Sequence, residues 1–213
     1  VTLITITVFF VSHRLLLKKD AGSHEDQPVF ALPPRSLLSL GLIAFCSLMC
    51  EGAMFDWSGV YFKKVVTTEP AFIGIGYTAF MISMTAIRFI TDWLTHRIGF
   101  KKIIIWCGIL TSLGLLIAVF FPYLLPATLG LLLVGMGVSP GVPLVFSAAG
   151  RSKILPAPVA IAAVASIGMI GLLIGPPIIG IIAGLTSLKT SFLILSFFGL
   201  AIIITALRLK NQD

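Results

Sequence analysis

Two carboxylates interrupt a long apolar stretch of this sequence. Glu51 follows fourteen uncharged residues, "LLSLGLIAFCSLMC", and Asp56 stands five residues further on, in "CEGAMFDWS". A charged side chain at membrane depth costs on the order of 3 kcal/mol, so such groups usually face a cavity or a partner. Burial also favours the protonated form of a carboxyl group. Glu51 is therefore a candidate to carry a proton or to hydrogen-bond a polar solute. The alternative is an ion pair or hydrogen bond that pins its helix.

Other polar or aromatic residues in the apolar segments are candidate solute contacts. Asp56 lies nearer the end of its segment, where it could instead cap a helix or pair with Lys63 or Lys64. Trp57 could stack on a sugar ring or belong to the aromatic belt at the membrane surface. Two further candidates are Ser139, in the proline-broken stretch "SPGVP", and Tyr77. Broken helices near the midplane expose backbone groups that bind substrates in transporters.

The composition indicates which kind of protein must position these residues. Of 213 residues, 58% are hydrophobic and only 11% are charged, whereas soluble domains have about 25% charged residues. A membrane helix needs roughly 17–25 mainly apolar residues. We therefore predict an all-α polytopic membrane protein with one six-helix domain over residues 36–210. The predicted helices are 36–62, 71–95, 102–121, 127–149, 157–184 and 189–208, after a shorter apolar run at 1–17.

The basic residues predict the orientation of these helices, because loops on the cytoplasmic side carry an excess of Lys and Arg. If the polar stretch 18–35 is cytoplasmic, twelve of the fifteen Lys and Arg residues fall on that side. The opposite side keeps Lys63, Lys64 and Lys189. We therefore predict that the stretch 18–35 and the C-terminus are cytoplasmic. This distribution explains the net charge of +7 without a nucleic-acid partner.

One predicted loop resembles a family signature. Residues 87–102, "IRFITDWLTHRIGFKK", resemble the Gly-x-x-x-Asp-Arg-x-Gly-x-basic-basic motif that joins two cytoplasmic helix ends in the major facilitator superfamily. The basic and glycine positions are matched by Arg97, Gly99, Lys101 and Lys102. His96 stands where the family has its acid, and Asp92 where it has the first glycine.

The departure of this loop from the motif leaves its role open. Asp92 and His96 are four residues apart and share a helix face, so Asp92 could supply the missing charge. The motif then implies a cytoplasmic gate, whereas the alternative is a loop that only sets topology. Arg88 lies one turn before Asp92. It could form an ordinary surface pair with Asp92 or a gate pair with another part of a longer protein.

A second segment resembles the same family. In "GMIGLLIGPPIIGIIAG", residues 168–184, Gly171, Gly175, Pro176, Pro177 and Gly180 resemble the family's pattern Gly-x-x-x-Gly-Pro-x-x-Gly, with the last glycine one residue further along. Small residues four apart let helices approach closely, and prolines inside a helix bend it. The segment is thus either a rocking element or a static packing face.

Together, the two motifs resemble the C-terminal half of a twelve-helix member of the superfamily. The stretches "EGAMFDWSGVY" and "VPLVFSAAGR" look most like its bacterial, inner-membrane fucose-permease-like branch. The resemblance implies that residues 1–17 end the sixth helix and that 18–35 form the central cytoplasmic linker. It implies an inner-membrane permease that moves a small polar solute, such as a sugar, by alternating access coupled to protons. Its partners would be the bilayer and an N-terminal six-helix half.

Two other functions remain open at this point, and an enzyme is not expected. The first alternative is a proton-antiport exporter of drugs or metabolites. The second is a membrane assembly or sensor subunit that transports nothing. The sequence has no nucleotide-binding, catalytic-triad or zinc motif, so we predict neither an enzyme nor a cofactor nor a metal site. The three cysteines, Cys46, Cys50 and Cys107, are interpreted as small apolar packing residues.

Overall fold

The computed structural model describes residues 35–152 and 154–209. Six α-helices follow one another: α1 (Arg35–Tyr61), α2 (Ile75–Ile98), α3 (Phe100–Phe120), α4 (Leu124–Gly150), α5 (Ala157–Leu185) and α6 (Leu188–Arg208). A π-helical turn, Phe62–Val66, extends α1, and a 3₁₀ turn, Pro70–Phe72, precedes α2. The predicted helix 1–17 and all but the last residue of the predicted linker 18–35 lie outside the described residues.

All six helices are long and apolar enough to cross a membrane. No strand occurs in residues 35–152 or 154–209, and the predicted all-α, six-helix fold is confirmed. Helices arise here because hydrocarbon leaves the backbone no hydrogen-bond partner outside its own segment. The helix bounds differ from the predicted ones by four residues at most.

The helices pack in pairs along most of their length. The most extensive pair is α1 with α5, followed by α3 with α4 and with α6, and α2 with α4. Glycines bring these helices together: a Cβ on Gly108 of α3 would lie 2.6 Å from the carbonyl oxygen of Gly199 in α6. Gly114 of α3 and Gly130 of α4 approach each other's backbone in the same way.

Aromatic side chains fill the core toward the end of the bundle where α1 terminates. Tyr61 stacks on Phe192 with ring centroids 4.2 Å apart. Its hydroxyl group donates a hydrogen bond of 2.8 Å to the carbonyl oxygen of Ala118. Because a buried phenol needs such a partner, this contact joins α1, α3 and α6 at one point.

Two helices are much less enclosed than the others. In α2 and in α5, 22% of the most apolar stretch is buried, against 39–72% in the other four. Both expose large apolar side chains, among them Phe89 and Trp93 of α2 and Leu173 and Ile181 of α5. These two faces require lipid or further protein to cover them.

Candidate functional site

Glu51 of α1 lies beside Arg88 of α2. Glu51 Oε1 and Arg88 Nη2 are 3.9 Å apart, and no other ion pair within 4.0 Å occurs among the described residues. Glu51 stands sixteen residues into α1 and Arg88 ten residues before the end of α2. At 1.5 Å per residue these offsets are about 24 Å and about 15 Å from the same end of the bundle. Since Arg88 has a long side chain, the two charged groups meet near the middle of a core about 30 Å thick.

The pair borders a cavity of about 450 Å³ that is lined by both charged and apolar side chains. Thr91 and Asp92 of α2 and Pro143 of α4 also line it. This volume lies within the range of small-molecule sites, about 300–1,000 Å³. The cavity thus combines two carboxylates, a guanidinium group and a hydroxyl group.

The guanidinium group of Arg88 keeps most of its hydrogen-bonding capacity. Its distance to Glu51 exceeds the 2.7–2.9 Å of a charge-assisted hydrogen bond, so the attraction is loose. The side chain of Arg88 is 57% exposed, whereas that of Glu51 is 12% exposed. Arg88 therefore has N–H donors free to bind a solute, and Glu51 and Asp92 can accept hydrogen bonds from it.

The sequence interpretation offered Asp92 as an ordinary partner for Arg88, and the structure shows a different arrangement. Arg88 approaches Glu51 on the neighbouring helix, while Asp92 is exposed in the same cavity. A partial signal for this was present in the sequence, because Glu51 and Arg88 fall in adjacent predicted helices and a long arginine side chain can reach across a difference in depth of about 9 Å. Depth alone does not say which faces of two helices meet.

Ser139 does not lie in the cavity, although the sequence suggested it as a solute contact. Its side chain is buried, and its hydroxyl group donates a 2.7 Å hydrogen bond to the carbonyl oxygen of Met84 in α2. The proline-broken stretch of α4 instead reaches the cavity through Val142 and Pro143. Ser139 therefore joins α4 to α2.

Trp57 takes part in the packing of α1 against α5. Its indole N–H donates a 3.0 Å hydrogen bond to the carbonyl oxygen of Pro176, and a Cβ on Gly180 would lie 2.8 Å from its ring. On the same interface, Gly171 and Gly175 contact the backbone of α1. Trp57 thus binds the proline–glycine segment of α5 and holds it against α1.

We expect Trp57→Phe to lower the free energy of unfolding in detergent by about 1 kcal/mol, because it keeps an aromatic ring but loses the hydrogen bond to Pro176. Chemical unfolding followed by circular dichroism measures this change. Trp106→Phe is the matched control, since the Trp106 indole makes no hydrogen bond with the described residues. Equal losses in the two variants would show that the hydrogen bond contributes nothing.

Asp56 and Tyr77 lie together in a second cavity of about 440 Å³ near the other end of α1. The rings of Phe55 and Tyr77 meet edge to face at 6.4 Å. Lys63 also lines this cavity, but it does not come within 4.0 Å of Asp56. Ser58, a third polar side chain there, is buried and has no hydrogen-bond partner within the described part of the chain.

The turn that carries the first family motif is tight. Gly99, at φ +90°, is the single residue between α2 and α3, and only glycine adopts this conformation readily. Lys101 donates hydrogen bonds of 3.1 and 2.9 Å to the carbonyl oxygens of Leu207 and Leu209, at the end of α6. The guanidinium group of Arg97 lies 5.0 Å from the ring centre of Trp93. Lys101 thus serves as a cap for α6.

Asp92 does not pair with His96, although the two residues are one helical turn apart. His96 and Asp92 are both exposed on α2, and they form no ion pair within 4.0 Å. Lys102 is likewise exposed. Among residues 35–152 and 154–209, no three His, Cys, Asp or Glu side chains cluster in a way that could hold a metal ion.

Comparison with curated proteins identifies relatives along most of the chain. An uncharacterized MFS-type transporter of Yersinia pestis is 32% identical over 191 residues, which are 90% of this chain and 50% of the relative. An uncharacterized transporter of Sinorhizobium fredii is 33% identical over 190 residues, 89% of this chain and 50% of the relative. The chain spans about half the length of these relatives. No family model matches the sequence.

Solved structures give the same fold. The MFS transporter FucP in the outward conformation matches 99% of this chain and 54% of its own, with a TM-score of 0.79 and 20% identity. A second FucP structure, described as the Escherichia coli fucose:proton symporter, matches with a TM-score of 0.77 and 20% identity. At this identity the likeness establishes the fold alone. With the sequence relatives, it leads to one conclusion: the chain resembles one half of a transporter of the major facilitator superfamily and has its fold.

Proposed function

We propose that residues 36–210 form one half of a secondary transporter, and that the cavity at Glu51 and Arg88 is its share of the path of a small polar solute. The observation that carries this proposal is a loosely paired carboxylate and guanidinium group at mid-membrane depth, beside a cavity of about 450 Å³. Ionisable groups at such depth are expensive, and they typically mark a substrate or ion pathway.

The remaining half of the transporter would cover the open faces of α2 and α5. These are the least enclosed helices, and the relatives are about twice as long as this chain. By its resemblance, the chain would be the C-terminal half, with residues 1–17 ending the sixth helix and 18–35 linking the halves. The solute would then bind between the halves, and rocking of one against the other would expose it to each side in turn.

We propose a hydroxyl-rich neutral solute, such as a sugar, moved together with protons across a bacterial inner membrane. The described cavity offers hydrogen-bond donors on Arg88 and acceptors on Glu51 and Asp92, as a hydroxyl-rich molecule requires. FucP, which shares the fold, is described as a fucose:proton symporter. Glu51, the least exposed carboxylate there, is the proposed proton carrier.

The test is uptake by the full-length protein in liposomes with an imposed proton gradient. We expect a labelled monosaccharide to accumulate only when the outside is acidic. An excess of the same sugar without the label should reduce that uptake. Cationic amphiphiles such as ethidium serve as the comparison. Transport of amphiphiles alone would replace this proposal with the exporter function. Sugar uptake that does not depend on the proton gradient would contradict the proton-coupling part of the proposal.

A further inference from the structure

A groove with apolar walls runs between α2 and α3. The two helices separate from the Gly99 turn, and each packs mainly along α4 rather than along the other. The space between them is about 200 Å³. It is lined by Leu94 and Ile98 of α2, by Ile103, Trp106 and Leu110 of α3, and by Pro140 of α4. Apart from the Cys107 thiol and the Trp106 indole N–H, its lining side chains have no hydrogen-bonding group. The groove therefore offers almost no hydrogen-bond partner to a polar solute, whereas its apolar walls suit a hydrocarbon chain.

The groove lies within the depth of one leaflet of a bilayer. Ile103 and Leu110 stand three and ten residues from the start of α3, which is about 5 and about 15 Å along the helix. Half of a hydrocarbon core is about 15 Å thick. The groove therefore runs for about 10 Å within a single leaflet and accommodates part of one acyl chain. Trp106, on its wall, is 55% exposed at the surface of the described bundle.

Two exposed cations are close in sequence to the lining residues at the end of the groove nearest the Gly99 turn, although neither lines the groove itself. Arg97 directly precedes Ile98, which lines the groove, and Lys102 lies one turn before Trp106. Within the described part of the chain, no carboxylate lies within 4.0 Å of either cation. Lys101, between them in sequence, is already bound to the end of α6. Arg97, whose guanidinium group lies over the ring of Trp93, and Lys102 therefore have no anionic partner in the described bundle and can attract one from outside it.

We propose that the α2–α3 groove binds an anionic glycerophospholipid, with one acyl chain along its apolar walls and the phosphate group held by Arg97 and Lys102. The positive-inside rule assigns this end of the bundle to the cytoplasm, and the cytoplasmic leaflet is the one that supplies anionic lipids. Apolar walls at leaflet depth and two uncompensated cations at the surface are together what such a lipid requires. This site is separate from the cavity at Glu51 and does not depend on the proposed solute.

Native mass spectrometry of the full-length protein in detergent tests the proposal, with phosphatidylglycerol and phosphatidylcholine of identical acyl chains as probes. We expect the wild type to bind phosphatidylglycerol more tightly. Arg97→Gln/Lys102→Gln should weaken phosphatidylglycerol binding roughly 25-fold, which is about fivefold for each cation removed. It should leave phosphatidylcholine binding unchanged. Leu110→Trp fills the groove and should weaken binding of both lipids.

Two controls separate this site from general charge and from misfolding. Lys64→Gln/Lys189→Gln removes two exposed cations at the opposite end of the bundle and should bind phosphatidylglycerol as the wild type does. Arg97→Lys/Lys102→Arg keeps the charge and should retain the preference. Equal binding of the two lipids by the wild type would overturn the proposal, as would undiminished phosphatidylglycerol binding by Arg97→Gln/Lys102→Gln. If neither lipid bound to the wild type, other protein would have to cover the groove, and the proposal would be overturned too.

Discussion

Arg88→Gln should lower kcat/KM for solute uptake about 100-fold in the full-length protein. The guanidinium group reaches the cavity with most of its donors unused, so a bound solute would complete its hydrogen bonds. A hydrogen bond to a charged group contributes about 1.5–3 kcal/mol, and loss of the larger value is a factor of about 150. Initial rates of uptake into liposomes, at several solute concentrations, give the ratio.

The same substitution at a distant site is the control for this prediction. Arg208→Gln removes an exposed arginine at the end of α6 and should leave uptake unchanged. Stability should change by less than about 1 kcal/mol in Arg88→Gln, because the ion pair is long and Arg88 is mostly exposed. An inactive protein that is also strongly destabilised would indicate a structural role for Arg88.

The double variant Glu51→Gln/Arg88→Gln distinguishes pairing from solute binding. If the two groups served only to neutralise each other, removing both would restore uptake, since neither charge would be left unpaired. If they bind the solute or carry its proton, the double variant should fold and remain inactive. We expect the second result. Recovery of wild-type uptake would contradict the proposed site while leaving the resemblance to the superfamily intact.

The fold could be predicted from the sequence because the bilayer restricts the alternatives so strongly. Long apolar runs in hydrocarbon have to be helices, and their lengths follow from the thickness of the core. The segment 157–184, for example, differs from observed α5 by a single residue at its end. Hydrophobicity sets where a helix begins and ends, so these bounds can be predicted without knowing which helices are its neighbours.

Contacts between helices could not be predicted in this way. Arg88 and Asp92 are four residues apart, and local spacing favours their pairing, but the packing of α1 beside α2 brings Glu51 within reach instead. Trp57 lies near a helix end, as belt residues do, yet its partner Pro176 is 119 residues away. Ser139 lies in a broken helix, and the neighbouring α2 supplies its hydrogen-bond acceptor. In each case, the rotation of one helix against another decided the contact.

The glycine pattern of α5 is one sequence signal whose packing meaning can be tested directly. Gly171→Ala should lower the free energy of unfolding by about 2 kcal/mol. The added Cβ would collide with the backbone carbonyl group of Phe45 in α1, and a backbone group cannot move aside as a side-chain rotamer does. The most extensive helix pair of the bundle would have to separate. Overpacking of this kind costs about 1–3 kcal/mol.

Gly184→Ala supplies a matched control in the same helix. A Cβ at Gly184 would meet no atom within 4 Å in the described structure, so that variant should keep the wild-type stability or gain a few tenths of a kcal/mol from helix propensity. Unfolding in detergent, followed by circular dichroism, compares the two. Gly171→Ala has the same gain in helix propensity, but the free-energy cost of its collision with α1 should exceed that gain. If Gly171→Ala proved as stable as Gly184→Ala, α1 and α5 could separate without loss, and the glycines of α5 would not act through close packing.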